Sequence, residues 1–119
     1  MNPEVKPKWI AMLRSGKYRQ GYSALRNSND EFCCLGVLCE LAVEEGIIGP
    51  PTSRKLENTY YSFGNKEQGN FGTLPPEVVE WAGIDCVGTI AQKQTSLAWL
   101  NDGLEYTFER IADVIEEHF

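Results

Sequence analysis

Phe32-Cys33-Cys34-Leu35-Gly36-Val37-Leu38-Cys39-Glu40-Leu41-Ala42-Val43 is the most apolar stretch of the chain, and its reading decides the fold. Cys34, Leu38, Leu41 and Ala42 recur at helical spacing, whereas Glu40, Glu44 and Glu45 fall on the outward side. The segment is therefore predicted to be a central helix. Gly46 fits the position after its last turn, and Gly49-Pro50-Pro51 forbids continuation. Cys33, Cys34 and Cys39 lie inside the apolar run, where reduced thiols behave as small hydrophobes, and Gly36 permits a second backbone to come close.

Towards the N-terminus, Asn2-Pro3-Glu4 opens a helix in which Val5, Trp9, Met12 and Leu13 share a face before Ser15-Gly16 ends it. Pro7 would remove a hydrogen bond from a helix begun at Pro3, so the regular part is expected to start nearer Lys6. Lys17 to Arg26, the turn formers Asn27-Ser28-Asn29-Asp30, and Glu31-Phe32 read as a short β-hairpin. Towards the C-terminus, only Asn58 to Gly64 of a long polar stretch reads as a strand, and Asn65 to Gly72 reads as an exposed loop. Thr73 to Trp81 predicts a short helix closed by Gly83, Gly88 to Gln92 a strand, and Leu97, Trp99 and Leu100 a helical turn capped by Thr95 or Ser96. The final stripe of Phe108, Ile111, Ala112 and Ile115, with Thr107 as cap, predicts an amphipathic helix. The expected fold is α+β: one domain over residues 1–119, several short helices packed on a small antiparallel sheet or hairpin. At 119 residues such a chain buries roughly two-thirds of the surface its unfolded form exposes, so it needs no disulfide or metal staple.

The opening residues lack the charged, apolar and small-residue regions of a secretory signal, and no stretch approaches the ~18 apolar residues of a membrane span. A cytoplasmic location is the expectation. The single histidine, His118, sits where helices fray, which leaves no internal base for a cysteine or serine nucleophile. Cys33, Cys34, Cys39 and Cys86 do not have the spacing of a zinc site, and no glycine-rich phosphate loop is present. No catalytic residue, metal or cofactor is expected. Two enzymatic readings stay open beside that one: a cysteine at a helix start, where the dipole stabilises thiolate, and carboxylate chemistry by Glu77, Glu80, Asp85 or Asp102.

Charge is unevenly spread. Lys6, Lys8, Arg14, Lys17, Arg19 and Arg26 form a basic strip without a carboxylate, whereas residues 67–119 carry ten carboxylates against Lys93 and Arg110, a net of −8. A total of −6 does not suit a general nucleic-acid binder, since affinity for a phosphate backbone needs many cations on one face. A local strip can hold one small anion. Lys17-Tyr18-Arg19-Gln20-Gly21-Tyr22, with Arg26, interleaves cations and phenols beside a glycine, and so supplies phosphate pairing and base stacking. Tyr60 or Tyr61 is the expected stacking partner across the pocket. The same pattern also fits an ordinary edge strand protected by charge.

FCCLGVLC (Phe32 to Cys39), LPPEVVEWAG (Leu74 to Gly83) and LNDGLEYTFERIADVIEE (Leu100 to Glu117), following KWIAMLRSGKYRQG, resemble a family of small proteins encoded by tailed phages and prophages. The resemblance runs over nearly the whole chain. It implies a phage-encoded protein acting in the host cytoplasm, of the kind that counters host defence. One such type is an oligomeric sponge that sequesters a nucleotide immune signal, a cyclic dinucleotide or cyclic ADP-ribose, without cleaving it. The leading expectation is thus a non-enzymatic nucleotide-binding homo-oligomer with its site at Lys17, Tyr18, Arg19, Gln20, Tyr22, Arg26, Tyr60 and Tyr61. The alternative is an inhibitor that turns an acidic face of Glu105, Glu109, Asp113, Glu116 and Glu117 towards a basic host protein.

Overall fold

The computed structural model describes residues 1–54, 60–64 and 71–119, the side chains of residues 53, 54 and 60 excepted. Among the described residues five helices, α1 (Val5–Arg14), α2 (Cys34–Glu44), α3 (Pro76–Ala82), α4 (Leu97–Asp102) and α5 (Phe108–His118), accompany three two-stranded ladders. The ladders pair β1 (Arg19–Gln20) with β2 (Glu31–Phe32), β3 (Thr52–Arg54) with β4 (Tyr60–Ser62), and β5 (Thr89–Ile90) with β6 (Thr95–Ser96). A 3-10 turn at Ala91–Lys93 links the last pair. The α+β class read from the sequence is the class found.

Helix α2 is the centre. Cys34 to Cys39, Leu41 and Ala42 are all buried, so the helix meets packing on every side and not along one stripe. Helices α1 and α4 lie against it, and α5 lies against both of these. Trp9, fully buried, donates its indole N–H to the carbonyl of Cys34 at 3.0 Å and locks α1 to the start of α2. A Cβ on Gly36 would overlap the carbonyl oxygen of Leu25, so the chain before β2 crosses α2 at backbone contact. Helix α5 buries Phe108, Ile111, Ala112 and Ile115 and is capped by Thr107, whose hydroxyl accepts from the N–H of Arg110. Burial of its three large apolar side chains contributes about 1.5–3 kcal/mol each. No helix among the described residues is long and apolar enough to cross a membrane.

Four local expectations need correction or restriction. Strands β1 and β2 run parallel, with Arg19 opposite Glu31 and Gln20 opposite Phe32, so this is not the hairpin expected. The reversal at residues 27–30 is real, and an antiparallel bridge joins Arg26 to Phe32. Between β1 and that bridge, however, Ala24 and Leu25 dive into the core, which takes the chain out of the ladder and returns it on the other side of Phe32. Strand β3 went unread because Thr-Ser-Arg has no apolar alternation. His118 belongs to the last turn of α5 with its side chain 16% exposed, and is not frayed. Its Nε2 lies 3.7 Å from Glu117 Oε2, beyond hydrogen-bonding distance. Residues 65–70 of the expected loop, and Asn58 and Thr59 of the expected strand, lie outside the described residues.

Candidate functional site

Helix α4 has Leu97, Leu100 and Asn101 at i, i+3 and i+4, and this places an amide on its buried face. Asn101 is wholly inaccessible and fully partnered. Its Oδ1 accepts from the N–H of Cys34 at 3.2 Å and from Gln20 Nε2 at 2.9 Å, while its Nδ2 donates to the carbonyl of Gly21 at 2.9 Å and to Asp102 Oδ1 at 2.8 Å. Gln20 Nε2 also donates to the carbonyl of Tyr106 at 2.6 Å. Asp102 Oδ1 then accepts from the N–H of Ser23 at 2.9 Å.

The consequence is positional. Tyr22 stands between two residues fastened to consecutive positions of α4, Gly21 to Asn101 and Ser23 to Asp102. Ser23 is held at φ 62°, a conformation that costs a non-glycine residue energy and persists where the surroundings impose it. Tyr22 is 47% exposed. On α4 the face opposite Leu97 carries Trp99, 57% exposed, with its ring so close to Gly103 that a Cβ there would come within 2.5 Å. Leu104, 52% exposed, donates its N–H to the carbonyl of Trp99 and precedes Glu105, which sits at φ 52°. Tyr22, Trp99 and Leu104 are the exposed large hydrophobics among the described residues; Trp99 lies in α4 and Leu104 just beyond its end, and the two neighbours of Tyr22 are tied to the last two positions of that helix.

The basic strip is largely consumed inside the fold. Arg26 donates to Asp30 Oδ1 from Nε and Nη2, at 3.0 and 2.7 Å, and its Nη1 lies 3.3 Å from Glu40 Oε1. Its guanidinium also stacks 4.1 Å from the ring centre of Tyr61 and 5.3 Å from that of Phe32. Burial raises the Glu40 pKa, against the opposing pull of Arg26 and with Glu44 and Asp30 adding to the rise. Arg14 reaches Asp113 at 2.6 Å and Glu116 at 2.9 Å, with Glu109 at 3.9 Å, so three of the five carboxylates expected to form an acidic docking face are engaged at home. Lys8 pairs with Glu45, Lys6 donates to the carbonyl of Glu116, and Arg19, though exposed, lies 3.5 Å from Glu31. Lys17 alone of the six has neither a carboxylate nor a carbonyl acceptor for its ammonium among the described residues.

The eight expected site residues therefore separate. Gln20 points into the Asn101 network, and Arg26 with Tyr61 forms a closed stack. Tyr18 packs edge-on against Phe32, with ring centres 5.4 Å apart. Lys17 and Tyr18 line an open cleft of about 300 Å³ with Ala11, Met12, Ser15 and Glu44. Burial raises the Tyr18 pKa, and Glu44 and Glu40 raise it further. Tyr22 stands apart at the end of α4, and the side chain of Tyr60 lies outside the described residues. Trp99 and Leu104 were missed. The signal was available, because a stripe at 97, 100 and 101 leaves position 99 facing away from the core.

Thiol chemistry has little support from the geometry. Cys33, Cys34 and Cys39 are buried, and burial pushes the Cys33 thiol up to about 12 and the other two well above their ordinary value of 9.0. Cys86 is exposed. No group of three or more potential metal ligands occurs among the described residues.

A family model for a domain of unknown function, DUF8296, matches residues 1–119, and the chain belongs to that family. No curated protein and no solved structure matches it.

Proposed function

For this member of the DUF8296 family we propose a non-enzymatic role in binding, in which Tyr22, Trp99 and Leu104 engage a protein partner. The observation that carries the reading is the double fastening of Tyr22: Gly21 to Asn101 and Ser23 to Asp102, with Ser23 in the left-handed region. A side chain kept half in water by one buried and one exposed hydrogen bond and a strained neighbour is pre-organised for contact, and rigid aromatic anchors of this kind dominate protein interfaces. Buried thiols and self-neutralised cations leave the catalytic and anion-clamping readings less to work with.

The test is peptide selection. Peptides chosen from a random library on the immobilised protein should bind through this corner and should lose affinity for a Tyr22→Ala/Trp99→Ala double variant whose melting temperature is unchanged. Selected peptides that bind the double variant equally well would refute the assignment.

A second reading, sequestration of a small nucleotide-derived anion by a homo-oligomer of a phage-encoded protein, rests on Lys17 beside Tyr18 in the 300 Å³ cleft. A melting-temperature screen with cyclic dinucleotides and cyclic ADP-ribose separates the two, because a ligand at 100 times its Kd adds about 2.7 kcal/mol of apparent stability.

A further inference from the structure

The charge around the end of α4 bears on what kind of partner fits. Asp102 spends one carboxylate oxygen on Ser23 and Asn101, and neither oxygen meets a cation among the described residues. Glu105 is exposed and has no ion pair among them. Two cations close in sequence to these segments are already committed. Arg110 lies 3.9 Å from the ring centre of Tyr106, and Arg19 is turned to Glu31. Elsewhere Arg14, Lys8 and Arg26 are paired with Asp113 and Glu116, with Glu45, and with Asp30 and Glu40, so the surplus that gives the chain its −6 is left on groups such as these.

Two exposed aromatic rings beside carboxylates that lack a counter-ion offer a cation both a π face and a negative charge. Arginine and lysine side chains are the groups that use both, and their aliphatic stems cover apolar surface such as Leu104. We propose that the partner presents a basic segment in which arginine or lysine alternates with apolar side chains. The cations would sit over Tyr22 and Trp99 with Asp102 and Glu105 at the rim. This inference rests on the binding role proposed above and adds the partner's chemistry to it.

The experiment uses two synthetic peptides of equal length, one alternating Arg with Leu and one alternating Glu with Leu, read by fluorescence anisotropy against the whole protein at low and high salt. The Arg-Leu peptide is expected to bind about tenfold more tightly or better, to weaken as salt rises, and to lose most of that preference with Glu105→Lys and with the milder Glu105→Gln. Circular dichroism of each variant confirms that it is folded. Equal binding of both peptides, abolished by Tyr22→Ala/Trp99→Ala, would keep the surface and overturn the basic partner. Failure of both peptides, or binding that ignores the double variant, would overturn surface and partner together. Sedimentation that shows self-association lost in the double variant would assign the surface to a second copy and likewise overturn the basic partner.

Discussion

Asn101 caps the helix that begins at Cys34. Its Oδ1 lies 3.2 Å from the first helical N–H of α2, across 67 positions of sequence, where Cys33 makes no side-chain cap of its own. A helix start buried in a core has orphan donors that water cannot reach, and here an amide from a different helix satisfies one of them.

Replacement of Asn101 by Leu should therefore cost about 3 kcal/mol, since it strands the N–H of Cys34 and the carbonyl of Gly21 in a dry interior and takes one of two acceptors from Gln20 Nε2. Urea denaturation measures the loss. Amide exchange at Ser23 and Cys34 should accelerate more than exchange in α5. Uniform acceleration would mean that the network does not fasten the Tyr22 turn.

Gly36→Ala should destabilise by at least the ~1–3 kcal/mol typical of overpacking, because the obstacle is the Leu25 backbone and not a side chain that can swing away. Gly46→Ala is a control of a different kind. Gly46 has φ 74° and open space around it, so only backbone strain of about 1 kcal/mol is expected. Equal costs at the two positions, by thermal or urea melts, would contradict the close crossing.

The two arginines of the expected anion site should behave differently. Arg26→Glu removes a guanidinium packed between Tyr61 and Phe32 and leaves the partly buried Glu40 facing another negative charge, a loss of about 2–4 kcal/mol. Arg19→Glu changes an exposed pair and should stay within about 1 kcal/mol. Calorimetry of the two variants decides it.

Thiol burial sets an alkaline limit. Above pH 9 the unfolded chain gives up protons that Cys33, Cys34 and Cys39 retain when folded, so the unfolded state binds fewer protons and stability falls as pH rises, continuing for Cys33 to about 12. Each thiol contributes a slope of about 1.4 kcal/mol per pH unit once the difference is complete. Urea midpoints at several alkaline pH values should show the decline, and Cys39→Ala should flatten it by one such increment. In native protein at pH 8, Cys86 should react with a thiol reagent at once and the other three on unfolding.

Much of this fold was legible. The spacing of Phe108, Ile111, Ala112 and Ile115 fixes the inner face of α5, and Thr107 marks its start, because both signals are local. Pairing direction is not local: Glu31-Phe32 looks the same whether its neighbour runs parallel or antiparallel, and what decides the matter is the descent of Leu25 onto Gly36. The residues of the expected anion site are dispersed for a related reason. Arg26 and Gln20 read as free groups while their partners are hidden, although Asp30 four residues later was a hint that Arg26 had a use at home. Asn101 could have been found, as a polar residue at a core position of a helical stripe.

Arg14 holds Asp113 across 99 positions of sequence, and α1 packs one face against α5. At about 5–20 residues per second, a ribosome needs roughly five to twenty seconds to make the intervening chain. During that time the first helix waits with greasy surface showing, and it is closed over only when the last one emerges. Apolar surface left open over such an interval favours aggregation, the hazard that chaperones in a cell counter.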